Sequence, residues 1–168
     1  IWSSTETTLP EGTTKQNYDN DSVLNRFDHQ LKSSGVNTNH TLRPDFSWST
    51  SDISQIKIHY QLDNYILLFP FCSPHLTSKK WPYYNKLISM INEKLDNKFK
   101  VVIAPGPGEI KEASNINALC ILNNGKALDI SQLSGLIKES SFVIANDTGP
   151  AHMTAHLGSK GIALFGSH

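Results

Sequence analysis

Cysteine is scarce: Cys72 and Cys120 are the two in 168 residues, too few for the disulfide framework of a small secreted domain. Both fall where strands are expected to end and read as buried, inert thiols of a reducing compartment. Long apolar runs are also missing. The longest, residues 65–72, contains Pro70 and falls far short of the roughly 20 residues that cross a bilayer. The opening IWSSTETTLPEG lacks the basic-then-apolar order of a secretory signal. Surplus charge is absent as well. Lysine plus arginine and aspartate plus glutamate both number 15, which excludes broad electrostatic attraction to nucleic acid or to an anionic bilayer. No internal repeat is visible. What remains is a cytoplasmic globular protein, of a length that suits one ordinary domain or parts of two.

The pattern of the chain changes near residue 64. Beyond it five strand-like segments, residues 65–69, 100–104, 119–122, 142–145 and 161–165, alternate with four helical ones. In the best helix, residues 83–98, Tyr84, Leu87, Ile88, Ile91 and Leu95 recur at helical spacing, and Pro82 stands where a helix starts. Ser131 is expected to cap a helix whose Leu133, Leu136 and Ile137 face inward, residues 109–118 give a shorter helix, and residues 151–157 a fourth. Such alternation predicts an α/β fold, a Rossmann-like parallel sheet with helices on both faces and ligands beyond the strands' carboxyl ends. Residues 1–63 differ. Residues 2–21 read as a loop or disordered entry and residues 22–31 as an amphipathic helix capped by Ser22 and ended by Gly35. Residues 37–52 read as a linker, and Ile53, Ile56 and Ile58 mark a short element of unsettled type. The expected division is therefore 1–63, the tail of a neighbouring domain with its linker, and 64–168, a ligand-binding domain cut short at its C-terminus.

The segment FVIANDTGPAHMTAHLGSKGIALFG, residues 142–166, concentrates the chemistry. An apolar strand runs into the turn residues Asn146-Asp147-Thr148-Gly149-Pro150, and Pro150 suits the first helical position because its missing N–H would be unpaired there anyway. The N–H groups of that helix start, reinforced by the helix dipole, favour an anion in the crevice beyond the strand. Gly149 lets the backbone approach a ligand. An ordinary strand-helix connection capped by Asp147 and Thr148 accounts for the local pattern equally well.

These residues carry a family resemblance. DTGPAHMTAHLGSKGIALFG resembles the D-[ST]-G-x-x-H-x-x-A-x-x-G signature, with a following strand ending in Phe-Gly, of the ADP-heptose:lipopolysaccharide heptosyltransferases of glycosyltransferase family 9. KKWP, residues 79–82, is similar to the family's K-x-W-P, and APGPGEIKEA, residues 104–113, to its glycine-acidic turn. The resemblance spans residues 65–166 and implies the C-terminal, donor-binding half of a two-domain GT-B enzyme, here a partial chain. It implies an inverting transfer of heptose from an ADP-sugar donor to a lipopolysaccharide core acceptor, without metal or cofactor. It also implies a general base on the acceptor half upstream of Ile1, so that this segment alone transfers no sugar. Peripheral contact with the inner face of the inner membrane stays open. So do other readings: another nucleotide-sugar transferase or epimerase of the same fold, or a non-catalytic nucleotide-binding module.

By the resemblance Lys79 and Asp147 are the catalytic candidates. Lys79 takes the phosphate-contacting lysine position, Ser73 falls among the hydroxyl contacts, and Asp147 and His152 match the residues that meet the donor sugar. Thr148 and Gly149 form the helix start that stabilises the departing diphosphate. Glu109 is the candidate for the ribose hydroxyls, with Glu112 competing and a plain helix-start glutamate as the alternative. For Lys79 and Lys80 the alternative is a solvated lysine pair. The chain departs from the family where Phe71 follows Pro70 in place of glycine, where His156 replaces alanine, where Gly161 replaces proline, and where Ser167-His168 replaces Pro-Thr. Two other motifs fail on inspection. Gly106-Pro107-Gly108 is no dinucleotide fingerprint, because Lys111 stands in place of the third glycine. His152 and His156 are spaced like a zinc pair, but Met153 replaces the glutamate that a zincin needs.

Overall fold

Five consecutive apolar residues form the centre of the molecule: β1, Tyr65–Phe69, is buried along its whole length. The structure is a computed structural model that describes residues 22–39 and 45–166. Among the described residues β1 lies between β2 (Lys100–Ile103) and β4 (Phe142–Asn146), with β3 (Leu119–Cys120) beyond β2 and β5 (Gly161–Leu164) beyond β4. The order is β3-β2-β1-β4-β5, and every neighbouring pair is parallel. Parallel strands need crossovers, and a sheet covered on both faces is the usual result.

Alternation along β1 divides the core into two layers. Tyr65, Leu67 and Phe69 pack on one side with Val102, Val143 and Ala145 and with Leu136, Ile137 and Leu157 from α5 (Ile130–Lys138) and the end of α6 (Gly149–His156). Ile66 and Leu68 pack on the other with Val101, Ile103 and Tyr84 and Ile88 of α3 (Tyr84–Lys94), and Ala113 of α4 (Ile110–Ala113) joins them. Each of these large side chains contributes about 1.5–3 kcal/mol on full burial. The hydroxyl of Tyr65 donates to the Leu136 carbonyl at 2.7 Å, and burial drives its pKa well above the ordinary phenol range.

Several boundaries differ from the sequence expectation, each for a local reason. α5 is capped by Asp129 rather than Ser131: its carboxylate accepts from Gln132 N at 2.8 Å while Gln132 Oε1 accepts from Asp129 N at 3.2 Å. This reciprocal capping box satisfies two orphan N–H groups at once. α3 stops at Lys94, because Asp96 and Asn97 take left-handed φ values of 50° and 53°. Pro82 precedes the N-cap Tyr83 instead of opening the helix. α4 is cut short at Ala113; beyond it the side chain of Asn85 accepts from Asn117 N and donates to the Asn115 carbonyl, in place of helical partners. β3 ends at Cys120, and α6 begins at Gly149, before Pro150. Cys72 and Cys120 are half-buried rather than buried, and partial burial pushes the Cys120 thiol up.

The chain divides into two compact units, Ile1–Pro44 and Asp45–His168. In the first, α1 (Val23–Ser33) starts at Ser22, whose hydroxyl accepts from Asn25 N, and is followed by Gly35 at φ 75°. Leu24 and Phe27 of α1 are exposed. Residues 2–21, 40–44 and Ser167-His168 lie outside the described residues. The element around Ile53 is α2, Ser54–Tyr60, and Ile53, Ile56 and Leu62 belong to the β1 core. Ser51 N donates to the Ser131 carbonyl, so this stretch runs directly over α5.

Gly135 makes that crossing close. A Cβ there would stand 2.5 Å from the Ser51 carbonyl oxygen and 2.9 Å from Ile53 Cγ2. Gly135→Ala should therefore lower the urea midpoint. Alanine gains at most ~1 kcal/mol of helix propensity, whereas overpacking against backbone costs about 1–3 kcal/mol. An unchanged or raised midpoint would mean that the Ser51 crossing yields freely.

Candidate functional site

Strand order reverses between β1 and β4, since β2 follows on one side of β1 and β5 lies on the far side of β4. Loops leaving β1 and β4 at such a point diverge to opposite faces and leave a crevice at the carboxyl ends. A cavity of about 450 Å³ opens there. Ser73, Lys79, Glu109, Asp147, Thr148, Gly149 and His152 all border it, so the candidate residues of three separate loops are brought together. Its remaining wall is largely apolar and includes Leu76, Ala104, Pro105, Leu128, Leu133 and Pro150.

Lys79 ends a short 3₁₀ turn, Thr77–Lys79, in the β1–α3 loop. Its ammonium lies 2.6 Å from Asp147 Oδ2, with side-chain exposures of 21% for Lys79 and 12% for Asp147. The pair is thus sheltered but open on the cavity side. One contact to Asp147 engages a single N–H of an ammonium that carries three. The imidazole Nε2 of His152 stands 4.0 Å from Asp147 Oδ1 and is well exposed. Lys80 points elsewhere: it pairs with Glu112 and its ammonium sits 6.0 Å from the centre of the Phe71 ring. That pairing engages Glu112 outside the cavity wall.

Across the crevice, α6 begins at Thr148–Gly149 without a side-chain cap, because the Thr148 hydroxyl donates instead to the Asn146 carbonyl at 3.2 Å. The partial positive charge of that helix start is therefore turned on the cavity. A Cβ on Gly149 would meet no atom within 4 Å, so the backbone there faces open space. Glu109 caps its own turn, with Oε2 accepting from Gly106 N at 2.8 Å. Ser73 borders the cavity, and its carbonyl accepts from Leu76 N at 2.8 Å.

Residues that sequence reasoning passed over support this arrangement. Asn146, read as a turn former, is instead the last residue of β4 and fully buried. Its Nδ2 donates to the Pro70 carbonyl at 3.0 Å, and its Oδ1 accepts from Trp81 N at 3.3 Å. The Tyr84 hydroxyl sits 3.2 Å from both Asn146 Oδ1 and the Phe69 carbonyl, and burial raises its pKa far above the ordinary phenol range. Phe71, in the position of the family's glycine, is buried with Leu68, Tyr84 and Ile88 and still borders the cavity. Gly166, at the end of the Phe-Gly motif, lies under the lysine loop, where a Cβ would stand 2.5 Å from the Ser78 carbonyl oxygen. Local pattern marks Tyr84 as a core residue of α3 and Asn146 as a turn former but does not disclose their hydrogen bonds, because their partners are distant in sequence. Among the described residues no three histidine, cysteine, aspartate or glutamate side chains converge as a metal site, and the His156 ring packs 5.0 Å from that of Phe46. Among the same residues no helix is long and apolar enough to cross a membrane.

Comparison with solved structures gives the same architecture. A glycosyl transferase family 9 protein from Veillonella parvula matches with a TM-score of 0.69 and 19% identity, over 92% of this chain and 47% of that one. The E. coli heptosyltransferase WaaC with ADP-2-deoxy-2-fluoro heptose matches with a TM-score of 0.53 and 18% identity, over 79% of this chain and 41% of that one. The E. coli ADP-heptose lps heptosyltransferase II gives 0.52 and 18%, over 66% of this chain and 36% of that one. At these identities the likeness shows the fold, and the chain spans less than half the length of each. Comparison with curated protein sequences gave no significant match. The family model "Glycosyltransferase family 9 (heptosyltransferase)" matches residues 14–168, and with that match over nearly the whole sequence the chain belongs to glycosyltransferase family 9.

Proposed function

We propose that the cavity is the donor site of a heptosyltransferase, which takes an ADP-activated heptose and transfers the sugar to a lipopolysaccharide core acceptor. One observation carries this reading: a lysine ammonium and an uncapped helix start border the same switch-point crevice, beside a carboxylate and a histidine. Two sources of positive potential suit a diphosphate. The WaaC structure named above holds an ADP-sugar analogue, and a second one holds ADP, which favours the same ligand class here.

In the proposed transfer the acceptor hydroxyl oxygen bonds to the anomeric carbon while the bond from that carbon to the diphosphate oxygen breaks. The electron pair leaves with ADP, and the hydroxyl proton passes to a base on the acceptor-side domain, with inversion at carbon. Negative charge grows on the departing diphosphate, so preorganised donors that meet it lower the barrier. Lys79 and the Thr148–Gly149 helix start supply them, with Ser73 as a further hydroxyl donor. Asp147 holds the Lys79 ammonium in place, so little reorganisation is needed when charge develops. With His152 it also faces the sugar. The Glu109 oxygen not engaged at its own turn is available to ribose hydroxyls, and the apolar wall of Leu128 and Leu133 suits the base. The enzyme would work in the cytoplasm, reaching its lipid-linked acceptor from the inner face of the inner membrane.

The lysine loop gives the direct test. In the full-length protein Lys79→Ala should lower turnover at saturating donor by about 10²- to 10³-fold, the usual loss of one such donor. Lys80→Ala should stay near wild type in both turnover and melting temperature, because its partner Glu112 is half exposed and such pairs contribute about 0–1 kcal/mol. Greater sensitivity at Lys80, or indifference at both, would place the diphosphate elsewhere. With Lys79 and the helix start meeting the diphosphate, no zinc is expected at His152 and His156. Protein equilibrated with zinc and then desalted should retain no stoichiometric metal, and retention lost in the double alanine variant would reverse that view.

A further inference from the structure

Lys79 reaches the cavity from a loop whose course is set by a residue that touches no ligand. We propose that Asn146 is a positioning residue for the diphosphate cation: it binds the lysine loop to the end of β4, so that the Lys79 ammonium stands ready where the leaving group departs. The proposal rests on the donor-site reading above and adds to it a buried amide outside the cavity wall.

Pairing of β1 with β4 ends at Phe69 opposite Ala145, and the next residues along are Pro70 and Asn146. Proline has no N–H to continue the ladder. The Asn146 side chain takes over there, donating to the Pro70 carbonyl at one end of the loop and accepting from Trp81 N, just beyond Lys79, at the other. The Tyr84 hydroxyl completes the acceptor end from the start of α3. A wholly buried amide is stable only when so satisfied. The requirement is chemically narrow: the side chain must donate at Pro70 and accept at Trp81, which an aspartate cannot do. The following residue, Asp147, then takes the lysine head group at 2.6 Å. Two consecutive residues thus hold the two parts of one device, Asn146 the backbone of the loop and Asp147 the ammonium. If Asn146 acts through Lys79, its loss harms a ligand that carries phosphates and spares one that does not.

Isothermal titration of ADP and of adenosine into wild type, Asn146→Ala, Lys79→Ala and the double variant distinguishes positioning from support of the fold. Asn146→Ala should weaken ADP binding about tenfold and change adenosine binding by less than about twofold. In the Lys79→Ala background the Asn146 change should cost ADP no more than about twofold further, since the residue it positions is gone. Tyr84→Phe keeps the ring in the core and removes one donor from Asn146 Oδ1. It should shift ADP in the same direction by about threefold, and it decides the matter if Asn146→Ala does not fold. Equal losses for ADP and adenosine, additive losses in the double variant, or an unshifted Tyr84→Phe in the absence of a folded Asn146→Ala would overturn the proposal alone. Failure of the wild-type protein to bind ADP would instead sink the donor-site reading, and this inference with it.

Discussion

The pairing of β1 with β4 is the constraint on which everything else in the described structure depends. β1 is buried on both faces and along both edges, so the two core layers, their helices and the outer strands are arranged around it. Because β4 lies on the side opposite β2, the loops that follow these strands diverge and open a crevice. The site is a consequence of strand order before it is a consequence of any side chain. Its chemistry follows when polar residues happen to occupy those loops, as Lys79, Asp147 and Thr148 do.

Electrostatics in the crevice are arranged by proximity rather than by excess. The chain as a whole carries no net formal charge with histidine neutral, and the positive groups at the cavity are one sheltered ammonium and one helix start, beside the carboxylates of Asp147 and Glu109. Asp147 reduces the net charge beside Lys79 while fixing its position. A buried or half-buried ion pair is a weak source of stability because desolvation offsets much of the attraction. Its value in the proposed donor site lies in order: an ammonium tethered at one point retains donors for a ligand, whereas the neighbouring Lys80 is committed to Glu112 at the surface.

Glycines serve the same end by allowing close approach. Gly166 admits the Ser78 carbonyl, so the exit of β5 supports the loop that carries Lys79; Gly161 likewise lies against the Val143 carbonyl, where a Cβ would stand at 2.8 Å. The segment from Phe142 to Gly166 therefore does more than supply a turn and a helix start. Its last residue and its fifth, Asn146, both touch the distant lysine loop, one by making room and one by hydrogen bonding.

Periodicity in the sequence determined the five strands, the helices that separate them and the α/β class, because both sheet faces are buried and each element announces its own apolar spacing. Motif residues also named seven of the residues that border the cavity. Their spacing reflects local geometry, a helix start after a strand or a lysine before Trp-Pro, and local geometry is legible in a string. Helix ends were less so. The Asp129–Gln132 box, the left-handed Asp96–Asn97 and the Asn85 contacts outcompeted the apolar pattern that suggested Ser131, Lys98 and Ala118. Tertiary structure alone decided that Ile53, Ile56 and Leu62 belong to the core of the sheet, that Lys80 pairs with Glu112, and that Asn146 is a buried tie. Each of these depends on partners tens of residues away, whose meeting is set by the order of strands in the sheet and by nothing in the neighbouring sequence.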